Sequence, residues 1–281
     1  MEQKKNQANQ ASQAQTSQTQ ALNQAMVEEK GTYLYCIVEG NANEDFGNIG
    51  IENSRVYTIF FKDVSAVVHS CKAEPYNSKD DVIVKGWILA HQNVVDKAMK
   101  KYGTVIPLGF DTIIKGDEKA LKEWIEKDYS NIKNRFEKIR GKKEYGVQIF
   151  IDEKIISNKL VEKNENEEVR KMKEKIEKMP KGVAYMLQKK MENMIKNTME
   201  NENMKMSDGF YEKIKNSSDN VKLEKNKDAE NGKMILNVSV LLKNGNVKAF
   251  GAQLDEINKR EGVSVRFVGP FAPYSFVSEG K

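Results

Sequence analysis

The chain has 281 residues, of which 46 are Lys or Arg, 41 are Asp or Glu, two are His and two are Cys, for a formal net charge of +5. At about 100–200 residues per domain this length predicts one or two domains with their own core, and so few Cys and His exclude a disulfide scaffold and a zinc site of the usual spacing. No run approaches the roughly 18–20 apolar residues of a membrane span and no apolar signal segment opens the chain, so we expect a cytoplasmic protein with reduced thiols and no membrane partner.

Lysines and glutamates are interleaved along most of the chain, including the Lys-rich region 153–230. Nucleic-acid binding favours clustered Lys and Arg beside exposed aromatic residues, whereas charges of mixed sign screen one another. We therefore expect no nucleic-acid partner.

The chain begins with a predicted tail, which is followed by strands. Residues 1–30 are rich in Gln, Ala, Asn, Ser and Thr and cannot bury enough apolar surface to fold, so we expect a disordered Gln-rich tail. The all-apolar run Tyr33–Val38 predicts a buried strand. Val56–Phe61 and Val64–His69 predict a hairpin that turns at Lys62–Asp63.

Two helices and one more strand complete a predicted N-terminal α+β domain, residues 31–142. Apolar spacing of three and four residues predicts a helix that ends at Gly103, with an apolar face formed by Trp87, His91, Val94, Val95, Ala98 and Tyr102. Thr104–Phe110 predicts a strand that Pro107 places at an edge or a bulge. A second helix is predicted between Asp117 and Gly141, with a stripe of Leu121, Trp124, Ile125, Ile132, Phe136 and Ile139.

Residues 143–268 predict a second domain. Alternation over Tyr145–Ile151 predicts a strand, the charged stretch 153–180 a helical insertion, and residues 183–215 a long helix. Val221–Leu223 predicts a short strand, and Met234–Leu242, after a turn at Asn231–Gly232, a half-buried strand. Val247–Ile257 predicts a helix, and Val263–Phe267 a last strand. Without the insertion this is the ferredoxin-like order βαββαβ. The predicted fold class is therefore α+β in two modules, with residues 269–281 as an extended C-terminal tail.

The sequence carries none of the common catalytic motifs. Phosphate-binding glycine loops, the G-x-S-x-G nucleophile elbow and calcium loops are all missing from it. His91 falls on the apolar face of its helix, where a packed, hydrogen-bonded histidine is favoured over a general base. His69 and Cys71 lie near a strand end and would form a nucleophile–base pair. They leave a small-molecule-binding or Cys/His-dependent α+β enzyme as the alternative function. Cys36, inside a strand, is typical of a small core residue.

Methionine is concentrated in one region, with eight of the twelve methionines between Met172 and Met206. Met191 and Met194 fall on one side of the predicted long helix. Methionine side chains adapt to many partners and are frequent on binding surfaces. A helix-packing seam is the simpler interpretation, and a partner groove is the alternative.

The C-terminal tail is unlike the rest of the chain. Gly269–Val277 reads GPFAPYSFV, and its two prolines exclude a helix and a central strand, so we expect an extended segment. Phe271, Tyr274 and Phe276 would expose much apolar surface if the tail were free. They are therefore expected to pack on the protein's own body, which we favour, or on a partner.

Several blocks, taken in chain order, resemble those of the gas vesicle GvpL/GvpF family. YLYCIVEG at Tyr33–Gly40 resembles the first strand of the family, and VSAVVHS at Val64–Ser70 its second block. HQNVVDKAMKKYGTVIPLGFDT, from His91 to Thr112, is similar to the third, and GKKEYGVQI and PKGVAYMLQKK follow in the family's order. The tail GPFAPYSFV is similar to the GPWPPYSF ending of the family. The resemblance covers about residues 33–277.

This resemblance implies a non-enzymatic accessory or minor structural protein of gas vesicles, without a cofactor. It implies two domains, the second ferredoxin-like, and a cytoplasmic protein associated with gas vesicles. The implied partners are GvpA, the small hydrophobic protein of the ribbed vesicle shell, and other gas vesicle accessory proteins, with a role in assembly. Candidate partner-binding residues are then Phe271, Tyr274, Phe276, Met191 and Met194.

Overall fold

The computed structural model describes residues 29–162, 171, 174–176, 179–227 and 232–277. The predicted tail, except for its last two residues, and most of residues 163–178 in the predicted insertion lie outside this part, as do Asn231 of the predicted turn and residues 278–281. The chain divides into two compact units between Lys138 and Ile139. Both are mixed α/β units with antiparallel sheets.

The first unit is a six-stranded sheet with two helices. Its strands run in the order β2-β3-β4-β1-β5, and β6 pairs with β1 beside β5. The strands are β1 Lys30–Glu39, β2 Asp45–Asn48, β3 Arg55–Phe61, β4 Val64–Lys72, β5 Val105–Pro107 and β6 Ile113–Lys115. The helices are α1 Asp81–Tyr102 and α2 Glu118–Ile139. Every residue from Tyr33 to Val38 is buried, as the all-apolar run predicted.

The predicted hairpin is confirmed, and the strand after α1 is shorter than predicted. β3 and β4 pair up to Phe61 and Val64, and Lys62 in the turn has a positive φ of 55°. β5 stops at Pro107 instead of reaching Phe110, and it lies at the sheet edge, where a missing backbone N–H is tolerated. Strands β2 and β6 were not predicted, because three or four residues are too few for a periodic pattern.

Both predicted helices are confirmed, although α1 begins at Asp81, six residues before the predicted apolar face at Trp87. Gly103, with a φ of 79°, terminates α1. The Asp117 carboxylate accepts hydrogen bonds from the N–H groups of Lys119 and Ala120 at the start of α2. The predicted stripe of α2 is buried at Leu121, Ile125, Ile132 and Phe136.

The second unit is a four-stranded antiparallel sheet in the order β10-β7-β9-β8. Its strands are β7 Lys142–Ile151, β8 Asn220–Leu223, β9 Lys233–Lys243 and β10 Val263–Phe271. Its helices are α3 Glu153–Glu162, α4 Lys181–Ser217, α5 Val247–Asn258 and α6 Tyr274–Val277. Phe210 and Ile214 of α4 and Phe250 of α5 pack with alternate residues of β7 and β9 in one core.

Strand β9 is buried on both faces, and the prediction of a half-buried strand was wrong. Val238 and Val240 point into the core with the helices, as the alternation indicated. Asn237 and Ser239 face the other way and are each only 8% exposed. Their burial comes from the C-terminal segment and the loop after β8, which sequence periodicity does not reveal.

The C-terminal segment is only partly extended. β10 continues to Phe271 at the sheet edge, with a register shift between Val268 and Phe271. Tyr274–Val277 then forms one helical turn, so the exclusion of helix by the two prolines was wrong. Pro273 stands just before that turn. A backbone N–H at this position would have no partner inside the helix, so a proline is tolerated there.

Candidate partner-binding surfaces

The C-terminal segment Gly269–Val277 is held on its own sheet by the carboxylate of Glu144. Glu144 lies on β7 and is 7% exposed. The backbone N–H of Ser275 donates to its Oε2 at 2.8 Å, and the Ser275 hydroxyl donates to its Oε1 at 2.7 Å. Burial raises the pKa of Glu144, and the donors of Ser275 offset that rise only in part.

Groups on the neighbouring strands complete the contacts of Ser275. Nζ of Lys222 on β8 donates to the Ser275 carbonyl oxygen at 3.1 Å. The hydroxyl of Ser239 on β9 lies 3.1 Å from that of Ser275. Because side chains alternate along a strand, Glu144 and Ser239 lie on the face opposite the helical core. The segment therefore covers the second face of this sheet.

The three aromatic residues predicted as partner contacts differ in exposure. Phe271 is 40% exposed at the end of β10, whereas Tyr274 and Phe276 are half-buried. Ala272 and Val277 are buried beside them. The segment thus packs on its own unit, the arrangement favoured from sequence, and Phe271 is its most accessible aromatic. A partner contact by these aromatics stays a prediction.

Gly269 is the position where the docked segment requires glycine. Its φ is 129°, a conformation that L side chains rarely adopt. A Cβ at this position would lie 2.8 Å from Cδ1 of Tyr145 and 3.0 Å from the carbonyl oxygen of Glu144. Close approach to β7 therefore depends on the missing side chain.

The predicted methionine face lies on α4, a helix of 37 residues that is about 55 Å long. Its C-terminal part is anchored to the sheet, where the Ser207 hydroxyl donates to the carbonyl oxygen of Ile235 at 2.8 Å. Met191 and Met194 are half-buried. Met186 and Met204 are 73% and 62% exposed. The helix thus offers accessible methionines, and a role for Met191 and Met194 in partner binding stays a prediction.

His91 is part of a buried hydrogen-bond network in the first unit. Its Nε2 donates to the carbonyl oxygen of Leu108 at 3.2 Å, so its Nδ1 accepts from the Tyr33 hydroxyl at 2.8 Å. That hydroxyl in turn accepts from the N–H of Asp111 at 3.0 Å. Backbone groups at both ends of this network therefore fix the neutral tautomer of His91 that carries its proton on Nε2. Burial lowers the pKa of His91 to about 4.

His69 is held in the same way. The Tyr35 hydroxyl accepts from the N–H of Ile51 at 3.1 Å and donates to Nδ1 of His69 at 2.8 Å. The proton of the neutral ring is then on Nε2, which donates to the Tyr76 hydroxyl at 3.0 Å. Burial lowers the pKa of His69 to about 4, and its ring stacks on Tyr33 with centroids 4.9 Å apart.

The arrangement around Cys71 does not favour nucleophilic catalysis. Both ring nitrogens of His69 are occupied by tyrosine hydroxyls, so the imidazole is not placed to take a proton from the thiol. Burial raises the pKa of the half-buried Cys71, which lowers the fraction of reactive thiolate at neutral pH. Cys36 is fully buried, as expected of a core residue.

Sequence reasoning missed the two polar arrangements that organise these units. Glu144 precedes the alternating apolar run of β7, and nothing in its neighbourhood distinguishes it from an exposed strand residue. Tyr33 and Tyr35 read as core aromatics, and only the three-dimensional arrangement brings their hydroxyls to the two histidines. The only available signal was the presence of both histidines in otherwise apolar segments.

The described residues show neither a membrane-spanning helix nor a cluster of metal ligands. Among them, no helix combines the length and the apolar character needed to cross a bilayer. In the same part of the chain, no group of three or more His, Cys, Asp or Glu side chains is arranged to hold a metal ion.

Comparison with known families gives one match over nearly the whole chain. The model of the family described as gas vesicle synthesis protein GvpL/GvpF matches residues 31–278. Gas vesicle protein L1 of Halobacterium salinarum is 26% identical over 266 residues, which cover 92% of this chain and 94% of the relative. Gas vesicle protein L of Haloferax mediterranei is 24% identical over 85% of this chain and 75% of the relative.

Solved structures give the same fold. The crystal structure of the gas vesicle protein GvpF from Anabaena sp. PCC7120 is similar with a TM-score of 0.72 and 20% identity, over 90% of this chain and all of that one. GvpF from Microcystis aeruginosa is similar with a TM-score of 0.63 and 19% identity, over 89% and 99% of the two chains.

Proposed function

The chain belongs to the gas vesicle synthesis protein GvpL/GvpF family, and from this premise we propose that it is a non-enzymatic accessory protein that binds the shell protein GvpA and assists gas vesicle assembly. The observation that carries the proposal is the family match over residues 31–278, which includes the docked GPFAPYSFV segment. The protein then acts at gas vesicles and works beside other accessory proteins of the vesicle.

The chemistry of the first unit supports a binding role over a catalytic one. The protons of His69 and His91 are committed to fixed hydrogen bonds, and the pKa of Cys71 is raised. A general base or a nucleophile needs the opposite, a group with a pKa near the working pH and access to substrate.

A shell protein with a gas-facing apolar surface needs a partner before it polymerises, because such a surface aggregates in water. The exposed and half-buried aromatic and methionine side chains of the second unit suit that need. The proposed contacts are Phe271, Tyr274 and Phe276 in the C-terminal segment and Met191 and Met194 on α4. Aromatic and methionine residues are enriched at protein interfaces.

We also interpret residues 143–268 as a ferredoxin-like domain with an insertion and residues 31–142 as a separate α+β domain. The four strands of the second unit, numbered by their order in the chain, lie side by side in the order 4-1-3-2. All neighbours are antiparallel, and helices connect the first strand to the second and the third to the fourth. This arrangement is that of a split βαβ pair and supports the interpretation.

The test is co-purification of GvpA with an affinity-tagged copy of this chain from cells that express both. The proposal predicts that GvpA elutes with the chain and stays unbound when an unrelated tagged protein replaces it. Met194→Lys is expected to reduce the yield of GvpA, because it places a charge in the proposed apolar contact. Asn193→Lys adds the same charge at an exposed neighbouring position and serves as the control. Absence of GvpA from the wild-type eluate would refute the proposal.

A further inference from the structure

The docked C-terminal segment withholds part of the surface that its proposed contacts would offer. Tyr274 and Phe276 are half-buried, whereas Phe271 at the end of β10 is 40% exposed. Aromatic side chains contribute most to binding when a partner encloses them and excludes water. Tyr274 and Phe276 bury part of their apolar surface on the chain's own sheet, so this surface reaches a partner only if the segment leaves the sheet.

Several polar contacts of the segment converge on Ser275. Its backbone N–H and its hydroxyl both donate to the carboxylate of Glu144, at 2.8 and 2.7 Å. Its carbonyl oxygen accepts from Nζ of Lys222 at 3.1 Å, and its hydroxyl lies 3.1 Å from that of Ser239. Contacts to a single residue form and break together, so the segment is expected to open in one step rather than residue by residue.

Gly269 marks the point about which the segment can turn. The pairing of β10 with β7 is regular up to Val268 and shifts register before Phe271. On the N-terminal side of this point, Val265 and Phe267 pack against the core of the second unit. Glycine adopts many backbone conformations, and a hinge consists of a few residues that absorb such changes. The sheet and its core can therefore stay intact while the residues after Gly269 move.

The sheet under the segment carries polar groups, which makes undocking less costly than the loss of a core element. Glu144 is 7% exposed and Ser239 is 8% exposed. A buried carboxylate has lost its hydration, and it regains that hydration when the segment leaves. Water also replaces the hydrogen bonds that Ser275 loses. Local openings of this kind have free energies well below that of global unfolding.

We infer that the C-terminal segment is a latch that docks and undocks about Gly269, and that Tyr274 and Phe276 contact the shell protein only in the undocked state. Docking on the chain's own sheet is then an autoinhibitory contact. This inference rests on the proposed function, and it assigns the regulation of the same contacts rather than a new contact. The fraction of undocked chains sets the apparent affinity, because a ligand that binds one conformation has an apparent dissociation constant equal to the intrinsic constant divided by the fraction of that conformation.

The experiment measures two quantities on the same full-length variants: the hydrogen exchange of residues 272–277 and the dissociation constant for purified GvpA. Ser275→Ala loosens the latch and leaves both aromatic residues in place. We expect the exchange rate and the affinity to rise by the same factor, about five- to thirtyfold. Lys222→Ala removes an exposed donor to the Ser275 carbonyl and is expected to raise both by a smaller common factor; it repeats the test if Ser275→Ala fails to fold by circular dichroism. Ser264→Ala, at an exposed position of β10, is the control and should change neither quantity.

The outcomes are distinguishable. Faster exchange with equal or weaker binding overturns the latch alone, since the docked conformation would then be the one that binds. Unchanged exchange in both Ser275→Ala and Lys222→Ala also overturns the latch, because these contacts would not hold the segment. No binding of GvpA by wild type or by any variant overturns the proposed function together with this inference. Adding Phe276→Ala to Ser275→Ala is expected to abolish the gain in affinity; a retained gain would overturn the assignment of the contact to the freed aromatic residues.

Discussion

The bond between Ser275 and Glu144 is the contact on which docking of the C-terminal segment depends, and Ser275→Ala tests it. The substitution removes the hydroxyl that donates to Oε1 at 2.7 Å and leaves the backbone donor to Oε2 at 2.8 Å. A hydrogen bond to a charged group contributes about 1.5–3 kcal/mol, and the backbone N–H of Ser275 still donates to Glu144 in the variant. We therefore expect the free energy of opening of the segment to fall by about 1–2 kcal/mol.

Hydrogen exchange measured by mass spectrometry is the suitable assay, because both tryptophans, Trp87 and Trp124, lie in the first unit and do not report on the second. Peptides that cover β9 and residues 272–277 are expected to exchange roughly five- to thirtyfold faster in the variant. Ser264→Ala, at an exposed position of β10, is the control and should leave these rates unchanged.

The pH dependence gives the prediction a second check. Burial raises the pKa of Glu144 in the folded state, so the folded state binds this proton more tightly than the unfolded state. The docked segment is therefore expected to become more stable as the pH falls from above the folded-state pKa of Glu144 to below the ordinary pKa of a glutamate. The hydroxyl of Ser275 stabilises the charged form, so the difference between wild type and Ser275→Ala should be largest at neutral pH and shrink on acidification. Equal exchange rates at neutral pH would refute the reasoning.

Three other substitutions test separate parts of the structure. Gly269→Ala places a methyl group 2.8 Å from Cδ1 of Tyr145 at a residue with a positive φ. We expect the free energy of opening of the C-terminal segment to fall by about 1–3 kcal/mol, measured by the same exchange assay. Unchanged protection of the segment would contradict this. Tyr33→Phe leaves the N–H of Asp111 and Nδ1 of His91 without their hydrogen-bond partner. Urea unfolding followed by tryptophan fluorescence should show that the free energy of unfolding falls by about 1–3 kcal/mol. An unchanged midpoint would show that the network does not stabilise the fold. Gly86→Ala should stabilise α1 by about 0.5–1 kcal/mol, because a Cβ at this position meets no other atom and alanine favours a helix over glycine. An unchanged or lower urea midpoint would contradict this.

The regular elements with strong periodicity were predictable from sequence. The buried strand at Tyr33–Val38, the hairpin at Lys62–Asp63 and helices α1 and α2 follow from apolar spacing and from caps at Asp117 and Gly103. These signals are local, because the residues that carry them are neighbours on one strand or one helical turn. Where an element is short, as in β2 and β6, the signal is too weak to be recognised.

The rest depends on contacts between distant parts of the chain. β9 was predicted to be half-buried because its pattern alternates, and the correction comes from a segment about 35 residues later that covers its second face. The helical turn at Tyr274–Val277 was excluded by its prolines, yet one turn needs only that the proline precede it. The buried role of Glu144 depends on Ser275, and the hydrogen-bonded state of His69 depends on Tyr35 and Tyr76.

The first turns of α1 illustrate a different difficulty. The predicted apolar face of this helix began at Trp87, whereas the helix begins at Asp81, so the turns before Trp87 were not part of the prediction. Val82 and Leu89 are 76% and 69% exposed, and their apolar character alone does not predict that exposure. Candidate contacts inferred from sequence were for the same reason restricted to the unusual compositions, the methionines and the aromatic tail.

The most direct test of the proposed function is the partition of GvpA between supernatant and pellet as purified chain is added in increasing amounts. An accessory protein that binds the shell protein is expected to raise the soluble fraction of GvpA until binding saturates at a fixed ratio, with the two proteins eluting together on size exclusion. If the soluble fraction of GvpA were the same with the chain as with an equal amount of albumin, the account would be contradicted.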